Sequence, residues 1–185
     1  MSDPVGLAAP RDVVAFWQAA GHDKWFTKDA AFDAAVRAQF LATYEAASAG
    51  ALGDWERTPE GALALVIVLD QFPRNMFRGS ARTYAADPLA RAAADRALER
   101  RFDQAVKPEL RAFFYLPFMH AESLADQERG VALYRALGDE EELRYAQEHA
   151  EIIRRFGRFP HRNAVLGRAT TPEEQAFLEA GGFAG

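Results

Sequence analysis

The chain has 185 residues, 49% of them apolar and 26% charged, with 14 phenylalanines, the composition of an ordinary globular domain and not of a disordered segment or coiled coil. It has no cysteine, which excludes a disulfide framework, a thiolate nucleophile and a cysteine metal site. The formal net charge of -5 argues against nucleic acid as the main partner, because a duplex binder carries a basic surplus.

The opening Met1-Ser2-Asp3-Pro4-Val5-Gly6-Leu7 has no basic segment followed by an apolar run, so no secretory signal is expected and the cytoplasm is the expected compartment. Further on, capping residues followed by proline or by a first-turn carboxylate recur, as in Thr58-Pro59-Glu60, Asp87-Pro88, Asp139 with Glu142, and Thr171-Pro172-Glu173-Glu174. The pattern between them predicts helices over 11–20, 29–48, 59–72, 88–101, 108–123, 126–137, 140–156 and 173–180. Phe32, Val36, Phe40 and Tyr44 fall at helical spacing in the second, as do Leu143, Ala146, Ala150 and Ile153 in the seventh, so both should be half-buried. The runs 62–69 and 112–119 are apolar around the whole helical circumference, which places the helices 59–72 and 108–123 at the heart of the core. Neither run approaches the ~20 residues that span a bilayer, so no membrane segment is expected. Val66-Ile67-Val68 would suit a strand, but the run follows a Thr-Pro-Glu helix start with no turn signal. The expected architecture is one all-α domain over 1–185, a compact stack of about eight antiparallel helices with short connections.

Charge is unevenly spread. Residues 152–172 hold no acid but contain Arg154, Arg155, Arg158, Arg162 and Arg168, and residues 71–86 are acid-free with Arg74, Arg78 and Arg82. Pro73 should end the third helix at Phe72, leaving Asp70 and Gln71 in its last turn and Arg74, Asn75 and Arg78 just beyond. A plainly structural account exists, since cations and asparagine suit a helix C-terminus. Gly157 is a natural helix stop, and after it Arg158, His161, Arg162 and Asn163 lie on a loop whose Phe-Pro-His-Arg-Asn echoes the earlier Phe-Pro-Arg-Asn. In 108–123, Pro117 should kink the helix near His120 and Glu122 and open a polar niche, unless His120 is simply a satisfied core histidine. His149 reads more as a packed histidine than as a ligand. His120 and Glu122 are two apart and share no helix face, and no zinc-protease spacing occurs, so no metal or other cofactor is expected. There is no Gly-rich phosphate loop and no Gly-x-Ser-x-Gly turn.

Phe16-Trp17, Trp25-Phe26, Leu69-Asp70-Gln71-Phe72-Pro73-Arg74-Asn75, Tyr115-Leu116-Pro117-Phe118-Met119-His120 and Arg155-Phe156-Gly157-Arg158-Phe159-Pro160-His161-Arg162-Asn163 together resemble the bacterial domain-of-unknown-function 924 family over nearly the whole chain. The resemblance implies an all-α fold similar to tetratricopeptide repeats and brings no established activity or catalytic residues. Gln18, Ala121 and Ala169-Thr170-Thr171 depart from its pattern.

The molecular function is open at this stage. The leading expectation is a soluble binding protein with an arginine- and histidine-lined site for a small anionic ligand, drawn from Asp70, Gln71, Arg74, Asn75, Arg78, His120, Glu122, Arg158, His161, Arg162 and Asn163. A tetratricopeptide-like scaffold for a peptide or partner terminus rests on fold analogy alone. An enzyme using His120 or His161 as general acid or base is the third reading. The riskiest expectation is that the two Phe-Pro corners converge on a bound anion, with Asp70 and Glu122 as internal competitors for their arginines.

Overall fold

Side-chain capping groups start several of the helices in the structure, a computed structural model that describes residues 6–183, but not the helix expected to start at Asp87-Pro88, where Ala86 stands at the N-cap and Asp87 is already helical. Residues 1–5 of the opening segment read above lie outside the described residues. Asp29 Oδ1 accepts the Ala31 and Phe32 N–H groups, both at 3.0 Å. Thr58 Oγ1 accepts Gly61 N–H at 3.1 Å, and Asp139 Oδ1 accepts those of Glu141 and Glu142, both at 3.1 Å. Thr171 and Glu174 form a reciprocal capping box. The resulting helices are α1 (Pro10–Ala20), α2 (His22–Trp25), α3 (Ala30–Ser48), α4 (Pro59–Val66), α5 (Phe72–Met76), α6 (Asp87–Glu99), α7 (Leu116–Met119), α8 (Leu124–Leu137), α9 (Glu140–Phe156) and α10 (Pro172–Glu179). No strand occurs among the described residues, and the fold is all-α.

Two expected helices take another course, both because of proline. The helix over 59–72 does not stop before Pro73 but passes through a π turn, Ile67–Gln71, into α5. Phe72 N–H reaches back five residues to Ile67 O, and the widened turn lets Pro73 enter at the start of the next helical segment, where its missing N–H is harmless. Arg74 and Asn75 therefore lie on a helix and not on a loop. The helix expected over 108–123 is broken into a 3-10 segment, Pro108–Phe114, the short α7 and an irregular 120–123. A continuous α-helix would drive the Pro117 ring into the Phe113 carbonyl; the chain tightens instead, with Tyr115 N–H bonded to Ala112 O at 2.9 Å.

The chain divides into two compact units, Met1–Arg78 with Arg82–Pro117, and Gly79–Ala81 with Phe118–Gly185. In the first, α4 and its π continuation are the interior: every residue from 61 to 73 is buried. Phe72 packs against Phe40 at 4.7 Å and Trp17 at 5.7 Å between ring centres, and Trp17 meets Phe113 at 5.8 Å. A Cβ at position 61 would fall 2.1 Å from Trp55 O, so the approach of the Gly53–Arg57 turn onto α4 requires glycine there. In the second unit, α8 and α9 form a helical hairpin turned at Gly138, whose φ is 82°. Ile152, Ile153 and Phe159 make an apolar cluster against which Phe156 and Phe177 pack. No helix among the described residues is long and apolar enough to cross a membrane.

Candidate functional site

The first corner is built by the π turn, which turns Asp70 and Gln71 inward, where they are 0% and 5% exposed. Gln71 Nε2 donates to Asp70 Oδ2 at 2.6 Å, and the Arg74 guanidinium lies 3.5 Å from Asp70 Oδ1. Arg74 also donates to Asp70 O at 2.6 Å and, with two parallel bonds of 2.9 and 3.0 Å, to Asp87 at the start of α6. Burial disfavours the charged guanidinium, but the Asp70 and Asp87 carboxylates outweigh it and hold the Arg74 proton more tightly than usual. Asn75 donates to Asp33 Oδ1 at 2.7 Å, and Arg78 grips both Asp33 oxygens at 2.6 and 3.1 Å. A stretch free of acids in sequence is thus neutralised by carboxylates from α3 and α6.

The second corner belongs to the second unit. Arg158 meets Glu174 with bonds of 2.6 and 2.8 Å and donates to Ala169 O at 2.8 Å. The bonds from Arg158, against the opposing effect of burial, hold the Glu174 carboxyl down to about 2, with Thr171 N–H and Asn163 helping. Arg168 likewise meets Glu122 at 2.6 and 2.9 Å, and reaches Phe159 O at 3.1 Å and Asn163 Oδ1 at 2.9 Å. Glu122 accepts Phe159 N–H at 2.7 Å. Burial raises its carboxyl, yet these bonds win and hold it below the ordinary carboxylate range. Arg158, Glu122 and Asn163 thus lock the loop, and Glu174, read in sequence only as a cap, does half of that work.

His120 follows α7 on a turn clamped from both sides. Gln127 of α8 donates to Met119 O at 2.6 Å and Ala121 O at 2.8 Å, while Arg162 donates to His120 O at 3.0 Å. Three successive carbonyls are therefore held by side chains of two other elements. Gln127 carried no sequence signal, because nothing local marks a helix glutamine that reaches a distant turn.

His161 lies on the 3-10 turn Pro160–Arg162, with Arg162 over the Phe159 ring at 4.5 Å. Its Nδ1 is buried and has no hydrogen-bond partner. Burial pushes the imidazole down to about 4; Arg162, His149 and Arg168 add to that, and Glu122 opposes it. It is a neutral ring near pH 7. His149, on α9, has its Nδ1 2.8 Å from Tyr145 O, which accepts the ring N–H. Among the described residues no group of three or more His, Asp or Glu is placed to hold a metal ion.

A family described as "Bacterial protein of unknown function (DUF924)" matches residues 13–182. The solved structure of ATU0120, a protein of unknown function from Agrobacterium tumefaciens, is similar with a TM-score of 0.90 and 53% identity, covering 92% of this chain and 97% of that one. No curated protein matches.

Proposed function

The chain belongs to this bacterial family of unknown function, and from that premise we propose that it is a soluble, cytoplasmic protein that binds a small anion at the second Phe-Pro corner. The observation that carries this reading is the buried His161 Nδ1 without a partner, on a turn held rigid by two bidentate ion pairs. A buried polar atom with no bond costs about 1–3 kcal/mol, a deficit that a ligand removes. The charges acting on the ring support a negative ligand: besides burial, Arg162, His149 and Arg168 repel its proton while Glu122 attracts it, a balance that favours a negative group. In this reading His161 and Arg162 touch the anion, and Arg158, Asn163 and Glu122 hold the turn. Asp70, Gln71, Arg74, Asn75 and Arg78 hold the first unit through the bonds already described.

The test is thermal unfolding in phosphate, sulfate or citrate against chloride at matched ionic strength. The native protein should gain stability that saturates with concentration, and His161→Ala and Arg162→Lys should lose that gain although the lysine keeps the charge. An equal response of native and variant proteins marks general salt exclusion and ends the reading.

The clamp on the carbonyls of Met119, His120 and Ala121 favours a second reading, acid–base chemistry at His120, because a backbone held from both sides presents its side chain in one place. Loss of the saturable gain in His120→Ala, with His161→Ala unaffected, would move the site there. The α8–α9 hairpin is the feature that favours a tetratricopeptide-like scaffold.

A further inference from the structure

The last described residues bear on the same turn. α10 ends in a two-bond glycine turn: Gly181, with φ 81°, donates to Leu178 O at 3.1 Å, and Gly182 donates to Phe177 O at 2.9 Å. A Cβ on Gly182 would lie 2.6 Å from the Phe177 ring and carbonyl, so glycine is required for the chain to pass. The turn sets the Phe183 ring edge-on to two imidazoles, 4.4 Å from His149 and 5.2 Å from His161. Phe159 stands 5.6 Å from the first of them and 5.7 Å from the second. Phe159 and His149 are 0% and 7% exposed, but Phe183 remains 37% exposed. The phenyl ring therefore lies on the imidazoles at the rim of the core, more than a third exposed, and it offers no hydrogen-bond partner to His161 Nδ1.

We propose that Phe183 is a displaceable plug over a slot for an aromatic carboxylate, whose ring takes the place of the phenyl group against His149 and His161 and whose carboxylate meets His161 Nδ1 beside Arg162. The proposal rests on the anion reading above and names the ligand class and its built-in competitor. Shape comes from the resident ring, since edge-to-face contacts with imidazoles are what another flat ring would reproduce. Charge comes from the cations around His161. An intramolecular competitor lowers apparent affinity by the fraction of time the slot is open, so removing it should raise affinity without new contacts.

The experiment is calorimetric titration of the full chain with benzoate, cyclohexanecarboxylate and phosphate. Phe183→Ala should bind benzoate about tenfold more tightly than the native protein, cyclohexanecarboxylate should gain less, and phosphate affinity should stay unchanged. Phe183→Leu, which keeps an apolar cover and guards against any loss of folding, should gain less than alanine. His161→Ala combined with Phe183→Ala should lose the benzoate gain. If phosphate binds through Arg162 while Phe183→Ala takes benzoate no better than native, the plug is overturned and the anion reading stands. If no anion binds native or variant protein, both fall. If the double variant keeps the gain, the slot is elsewhere and the proposal is overturned.

Discussion

The half-buried His161 ring is pushed down to about 4 because burial disfavours its charged form, with Arg162, His149 and Arg168 adding repulsion that Glu122 partly offsets. In the unfolded chain it takes up a proton near the ordinary 6.5. Between those values the unfolded state holds the extra proton, so stability is full above about 6.5 and falls as the pH drops towards about 4. Urea midpoints at pH 7 and pH 5 should differ for the native protein and differ less for His161→Gln. Glu174, depressed to about 2 by its bonds with Arg158, adds a second loss that begins below its ordinary 4.5 and runs to about 2. At the other extreme of exposure, Arg101 sits in the left-handed region at φ 59°, the only non-glycine to do so among the described residues. Arg101→Gly should therefore raise stability by about 1 kcal/mol in chemical unfolding.

Among the elements, α4 and the π turn that follows it carry the most interior contact, and single atoms decide their fit. Gly61→Ala places a methyl group 2.1 Å from the Trp55 carbonyl oxygen, a backbone atom that has no rotamer to escape into. It should cost about 1–3 kcal/mol or displace the Gly53–Arg57 turn. Phe72→Ala and Phe114→Ala each remove a fully buried ring and should cost about 3–5 kcal/mol, read as a shift in denaturant midpoint. α10 is held differently, by its capping box, by the Arg158–Glu174 pair and by Phe177 against Phe156. Arg158→Ala leaves the buried Glu174 carboxylate without its cation, and amide exchange in α10 should accelerate while α4 is unchanged.

For the chain as a whole, amide exchange should order the elements by burial. The amides of residues 62–72, buried without interruption, should be the last to exchange, and far-ultraviolet circular dichroism should show a helical signal with no sheet component. Early exchange across 62–72 would show that the core lies elsewhere. Charge behaves as a property of the folded chain in the same way. The acid-free stretches meet Asp33, Asp87, Glu122 and Glu174, each drawn from another element, so single-signed runs in sequence become paired clusters in space.

The helix starts at Thr58, Asp139 and Thr171 were legible in the sequence because each side chain bonds a backbone N–H two or three residues away, a distance that no other part of the chain alters, whereas Asp87, expected as a cap, is the first residue inside its helix and turns its carboxylate to Arg74 instead. The apolar run 62–69 was legible as core for a similar reason, since a helix with no polar face has nowhere else to go. The course of the chain at Pro73 and Pro117 was not. Proline announces that an α-helix cannot continue unchanged, but whether it stops, widens into a π turn or tightens into 3-10 depends on the packing around it. The arginine partners were hidden for a different reason: Arg78 finds Asp33 45 residues away and Arg168 finds Glu122 46 residues away. Such pairs exist only once the helices that carry them have packed, and a list of neighbours along the chain holds no record of which faces meet. The seating of Phe183 on two imidazoles is decided in the same way, by a turn whose glycines were visible and whose destination was not.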